Sequence, residues 1–178
     1  MGKGVLRDDH PLSLLTCGLQ ARDYVSCGFD RADVVIAVGY DLVEYAPERW
    51  NPKYDKTIIH IDMLPAEVDQ HYIIGAGVLG DITTSLDRLA ERVDPCHHNN
   101  YSLGLRELIL QERDEFSSDT SFPIKPQRVL SDLREVMDPV DILVSDVGAH
   151  KMWISRLYPC YQPNSCIISN GFASMGIG

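Results

Sequence analysis

The sequence lacks most of the short signatures by which a chain's chemistry can be read at sight. No two of its cysteines are spaced C-x-x-C: Cys17, Cys27, Cys96, Cys160 and Cys166 stand apart and are odd in number. That excludes zinc-ribbon and dithiol redox motifs and argues against a disulfide framework, so reduced thiols in a cytoplasmic protein are expected. No apolar run approaches the ~20 residues of a membrane span. The opening Met1-Gly2-Lys3-Gly4-Val5-Leu6-Arg7 has neither the apolar core nor the cleavage site of a secretory signal, and Leu6 stands where myristoylation wants Ser or Thr. Positive charge is scarce: 16 Lys and Arg against 26 Asp and Glu give a formal charge of -10. Nucleic acid and anionic membranes, which need a basic footprint, are thereby excluded as main partners. G-x-G-x-x-G, the Walker loop and H-E-x-x-H are all missing, as are internal repeats and low-complexity tracts.

What remains is an alternation of short apolar runs and amphipathic stretches. Val34-Val35-Ile36-Ala37-Val38 and Thr57-Ile58-Ile59-His60-Ile61 are β-branched runs that suit strands buried on both faces of a parallel sheet. After Gly80-Asp81 a helical pattern sets Leu86, Leu89 and Val93 on one face. Around Asp94 to Tyr101 the composition turns to Pro, Cys, His and Asn, which marks a linker; His97-His98 there reads as solvated rather than metal-binding. A helix with Leu105, Leu108 and Ile109 inward follows. Pro126, in the favoured first helical position, opens another with Val129, Leu130, Leu133, Val136 and Met137 on one stripe. Ile142-Leu143-Val144 and Cys166-Ile167-Ile168 are the last strands. The class is α/β with parallel sheet. The expected division is 1–94, a linker with a helix over 95–124, and a second domain over 125–178.

Ligands of open parallel sheets bind beyond the carboxyl ends of strands. Four such ends are Gly39-Tyr40-Asp41, Asp62, Asp146-Val147-Gly148 and Asn170-Gly171. The third is the best anion candidate: Gly148 clears the turn, a helix starts at Ala149, and His150 adds a donor. Elsewhere, Gly75-Ala76-Gly77 reads as a loop, Asp8-Asp9-His10 as solvated charge, and Trp50 and Trp153 as packing anchors.

Taken together, these segments resemble the acetolactate synthase family of thiamine diphosphate enzymes. Asp8-Asp9-His10-Pro11-Leu12, Ala32 to Gly39, Ile58 to Asp62 with Pro65-Ala66-Glu67, and Val78-Leu79-Gly80-Asp81 are similar to the family's Rossmann-like central domain. Ser145 to Trp153 and Ser169 to Gly176 are similar to the opening of its cofactor domain, and this pair with its spacing is the most specific part of the match. The resemblance implies that Gly148, Ala149 and His150 hold the cofactor's diphosphate, although Ala149 replaces a glutamine common in biosynthetic members. It implies that the backbone carbonyl of Ala173 receives the cofactor's exocyclic amine, that Ser174 is also cofactor-binding, and that Met175 is the apolar wedge that bends the cofactor; a gap-filling core methionine is the competing reading of Met175. It implies magnesium as a second cofactor, 2-keto acid substrates and a homo-oligomer. Flavin-binding members carry an arginine in the turn matching Gly39-Tyr40-Asp41-Leu42-Val43-Glu44-Tyr45. The arginine-free turn here is closer to the catabolic, flavin-independent members, so no FAD is expected.

The family's activating glutamate precedes this stretch and its Gly-Asp-Gly magnesium motif follows it. The expectation is therefore a portion of an enzyme that decarboxylates pyruvate and condenses it with a second 2-keto acid. No catalytic or metal residue is assigned within the portion, and no turnover is expected from it alone. A non-catalytic nucleotide-binding or assembly module with a Rossmann-like fold is the alternative.

Overall fold

The computed structural model describes residues 2–18, 24–43, 45–94, 100–169 and 171–178. The chain forms two compact units, one from Gln20–Asn99 and the other from Met1–Leu19 with Asn100–Gly178.

The Gln20–Asn99 unit contains a one-turn helix α1 (Cys27–Asp30), strands β1 (Val34–Val38), β2 (Thr57–Asp62) and β3 (Ile74–Leu79), and helix α2 (Ile82–Ala90). The three strands are parallel, in the order β1-β2-β3. The strands foreseen at 34–38 and 57–61 are present, but β1 is not buried on both faces. Val35 and Ala37 pack with Trp50, Ile58 and Tyr72, whereas Val34, Ile36 and Val38 are exposed. As the edge strand of a sheet with one covered face, β1 can bury only alternate residues. Gly75-Ala76-Gly77, expected as a loop, lies inside β3. The pairing steps from Ile58↔Ile74 to Ile59↔Ala76, leaving Gly75 unpaired in a bulge. A Cβ on Gly75 would come within 3.0 Å of Thr57 Cγ2, so the glycine that looked like a loop residue is what the bulge needs. Asp81 caps α2 through the Thr84 N–H at 2.8 Å.

In the other unit, α3 (Asn100–Glu115), α4 (Pro126–Val136), β4 (Leu143–Ser145), α5 (Ala149–Leu157) and β5 (Cys166–Ile168) follow in order. β4 and β5 form a two-stranded parallel pair. Pro126 occupies the first turn of α4, as expected. The core joins Leu130 of α4 to Ile154, Leu157, Tyr158 and Cys160, with Leu133, Met137, Leu143, Cys166 and Ile168 against it. The apolar stripes are narrower than the sequence implied: Val129, Val136 and Leu108 are exposed, as are Leu86, Leu89 and Val93 of the first unit.

The N-terminal stretch is locked into this unit by polar bonds. Asp8, 3% exposed, is not the solvated charge expected of it. Its carboxylate pairs with Lys3 at 3.0 Å and accepts the Cys160 N–H at 2.8 Å, while the Asp8 N–H donates to the Cys160 carbonyl at 2.9 Å. Buried Arg106 donates to the carbonyls of Asp8 and Ser13. Such charge-assisted bonds compensate groups that would be costly to bury alone. Cys17, Cys27, Cys160 and Cys166 are thiols outside any disulfide; Cys96, His97 and His98 lie outside the described residues.

Candidate functional site

The strongest site-like geometry lies at the carboxyl ends of β4 and β5. Beyond β4 the chain runs through Asp146 and Val147 to Gly148, which stands at φ 143° as the N-cap of α5. An L side chain rarely adopts that φ. A second constraint acts at the same atom: an added Cβ would meet the His150 ring at 2.8 Å. His150 folds back so that Nε2 donates to the Asp146 carbonyl at 2.9 Å. Since a carbonyl only accepts, Nε2 carries the proton. No side chain caps the first turn of α5. Its positive dipole end suits an anionic oxygen group, and neither Gly148 nor Ala149 carries bulk to obstruct one.

The turn beyond β5 is brought to the same place. Asp146 accepts the N–H groups of Gly176, Ile177 and Gly178 at 2.7, 2.8 and 3.0 Å. The amides of Gly176, Gly178 and Ile177, helped by nearby His150, hold its carboxyl below the usual aspartate range. Ahead of these amides, Ala173 adopts a left-handed φ of 53°, and the Ser174 carbonyl accepts the Ser169 hydroxyl at 3.3 Å. Met175 is 84% exposed. Asn170 lies outside the described residues. Of the residues singled out from the sequence, Gly148, Ala149 and His150 stand on one turn, and Ala173, Ser174 and Met175 on the other. Asp146 bonds to both turns. It was visible only as part of a motif, its signal being an acidic residue directly after a strand.

The Gln20–Asn99 unit has its own opening at the carboxyl ends of β1 and β2, a cavity of about 280 Å3 bordered by Tyr40, Asp41, His60, Asp62, Glu67 and Tyr72. His60 Nδ1 lies 2.8 Å from the Tyr72 hydroxyl, a buried pair that sequence reasoning did not single out. Burial, with Tyr40 and Asp62 nearby, pushes the Tyr72 phenol up to about 12. Asp41 and Asp62 each spend one oxygen on a backbone N–H two residues ahead. Among the described residues no Lys or Arg lines this cavity. Trp50, 4% exposed, is the anchor expected of it, but Trp153 is 36% exposed and anchors little.

Comparison with known proteins decides the family. Residues 1–89 match the family described as thiamine pyrophosphate enzyme, central domain. The chain belongs to the acetolactate synthase family of thiamine pyrophosphate enzymes. It is 31% identical over 152 residues to an acetolactate synthase of Bacillus subtilis, covering 83% of this chain and 27% of that protein. It is 30% identical over 200 residues to a probable acetolactate synthase large subunit of Methanocaldococcus jannaschii, covering 100% of this chain and 32% of the relative. A catabolic acetolactate synthase of Raoultella terrigena is 29% identical over 155 residues, covering 83% of this chain and 27% of its own length. The chain thus spans about a quarter to a third of the curated relatives it matches. The α/β architecture with parallel sheets agrees with the family's Rossmann-like central domain.

Proposed function

We propose that this chain contributes the diphosphate turn and the apolar wedge of a thiamine diphosphate site to an acetolactate synthase acting on pyruvate and a second 2-keto acid. The observation that carries this reading is that Asp146, directly after β4, bonds both to His150 of the Gly148–His150 turn and to the amides of Gly176–Gly178, which directly follow Ala173–Met175. On this reading residues 1–94 belong to the central domain, 95–124 link, and 125–178 open the cofactor domain. The enzyme is a cytoplasmic homo-oligomer.

When bound, thiamine diphosphate supplies the carbanion chemistry through which pyruvate is decarboxylated and joined to its partner. The chain's residues bind and orient. The amides at the start of α5 receive the diphosphate oxygens, and Gly148 leaves the backbone open to them. His150, held by the Asp146 carbonyl through Nε2, is left with Nδ1 as an acceptor in its neutral form. Met175, exposed on a turn with clamped amides, presents a flexible apolar side chain to the cofactor. Ala173 offers its backbone carbonyl. Magnesium would be the second cofactor of the complete site. Among the described residues no cluster of three or more His, Cys, Asp or Glu side chains is arranged to hold a metal, so none is assigned to it. FAD has no part in this reading, because three carboxylates line the cavity where β1 and β2 end and would repel a dinucleotide pyrophosphate. Among the described residues no helix is long and apolar enough to cross a membrane.

Calorimetric titration with thiamine diphosphate and magnesium tests the assignment. Met175→Ala and Gly148→Ala should weaken binding severalfold or more, with the second the stronger because it strains the turn and displaces His150. Equal affinity in both variants and the parent chain would refute it. The chain supplied with cofactor, magnesium and pyruvate should form no acetolactate; sustained formation would show that it holds more of the machinery than is assigned here.

A further inference from the structure

We propose that Asp146 is a positioning residue that joins the two halves of the thiamine diphosphate cradle without touching the cofactor. The inference rests on the function proposed above and deepens it, giving a role of its own to the residue that bonds to both turns. Asp146 acts through two different groups. Its backbone carbonyl fixes the His150 ring at 2.9 Å, on the diphosphate side. Its carboxylate collects three consecutive amides, Gly176 at 2.7 Å, Ile177 at 2.8 Å and Gly178 at 3.0 Å, directly after Met175. One side chain therefore sets the backbone that carries the wedge, and the main chain of the same residue sets the diphosphate ligand.

The division is chemically sensible. Three convergent N–H groups form a concave donor site that a carboxylate fills better than a neutral acceptor. Among the described residues Phe172, Met175 and Ile177 are exposed and Ala173 is left-handed, while Ser169 donates its N–H to the Ser145 carbonyl at 3.1 Å and its hydroxyl to the Ser174 carbonyl at 3.3 Å. Without the carboxylate, the residues flanking Met175 lose what places them over the α5 terminus. Cofactor binding would then have to order the turn again, at the cost of affinity.

The test compares the parent chain with Asp146→Ala and Asp146→Asn, using amide hydrogen exchange and NMR titration with thiamine diphosphate in magnesium. Asp146→Ala should release Gly176, Ile177 and Gly178 to rapid exchange and weaken the cofactor by roughly tenfold or more, as loss of an outer-shell partner does. Asp146→Asn retains one acceptor oxygen and should recover part of both, which a general loss of folding would not. In both variants the His150 resonances of the free chain should stay near those of the parent, since the carbonyl contact is untouched. If Asp146→Ala binds the cofactor as tightly as the parent chain, the inference is overturned while the proposed function stands. If the parent chain itself shows no cofactor-dependent shifts, the proposed function falls, and Asp146 is reduced to a structural clasp.

Discussion

The two units of the chain are held by different physics. In the Gln20–Asn99 unit rings pack on rings: Trp50 lies 5.5 Å from Phe29, 6.1 Å from Tyr40 and 6.0 Å from Tyr72, with His60 edge-on to Tyr72 at 5.9 Å. In the other unit rings lie under cations. Arg134 covers Tyr158 and Tyr161, Arg7 covers Tyr161, and Lys125 covers Phe116. The first unit is held by area, which is forgiving in direction. The second adds to its apolar core bonds between named atoms, Asp8 to Cys160, Arg106 to Asp8 and Asp146 to Gly176, each directional. The proposed cofactor turns lie in the second unit, where single atoms decide geometry. A site that must place a cofactor gains from this, and it becomes sensitive to single charges in return.

Removing Trp50 should break the first unit most severely. Trp50→Ala empties the centre of the aromatic cluster and should cost about 4 kcal/mol. Denaturant unfolding followed at amides of β1 to β3 measures this, and those of β4 and β5 should keep their midpoint. Asp8→Ala is the corresponding break in the second unit. It leaves Lys3 buried without its counter-charge and the Cys160 N–H without an acceptor, at a cost of about 3 kcal/mol. Unfolding monitored at α4 and α5 should move while the three-stranded sheet does not.

A smaller effect separates the units by pH. Because the folded-state value of Tyr72 is raised to about 12 from an ordinary value near 10, its contribution is complete below pH ~10. It is lost as pH climbs through about 12. Phenolate absorbance recorded alongside unfolding should place this loss in the first unit, and Tyr72→Phe should abolish it. The Asp146 carboxyl is shifted down, so the bonds to Gly176, Ile177 and Gly178 are at full strength above the ordinary aspartate value and fade as pH falls through the lowered one.

Much of this contrast was legible in the sequence. The strands at 34–38 and 166–168 and the helix start at Pro126 followed from apolar runs and proline, which act locally. The turn at Gly148 and the convergence of two motifs at strand ends were equally readable, since parallel sheets put ligands there. Asp8 was misread because its partners, Lys3 apart, are more than 90 residues away, and no local pattern announces a buried ion pair. Gly75 was misread because a bulge glycine and a loop glycine look alike until the partner strand is seen. The exposed faces of β1, α2 and α4 follow the apolar pattern, but a pattern says which residues are apolar and not whether this stretch of chain covers them. Asp146 was in view, yet its double role needed coordinates.

The most direct test of the proposed cradle is an NMR titration of the isotope-labelled chain with thiamine diphosphate and magnesium. Saturable shifts confined to Asp146–Lys151 and Gly171–Gly178 are expected, with Gly39–Leu42 and Asp62 unmoved. Shifts centred on the carboxyl ends of β1 and β2, with the β4 and β5 turns silent, would contradict it.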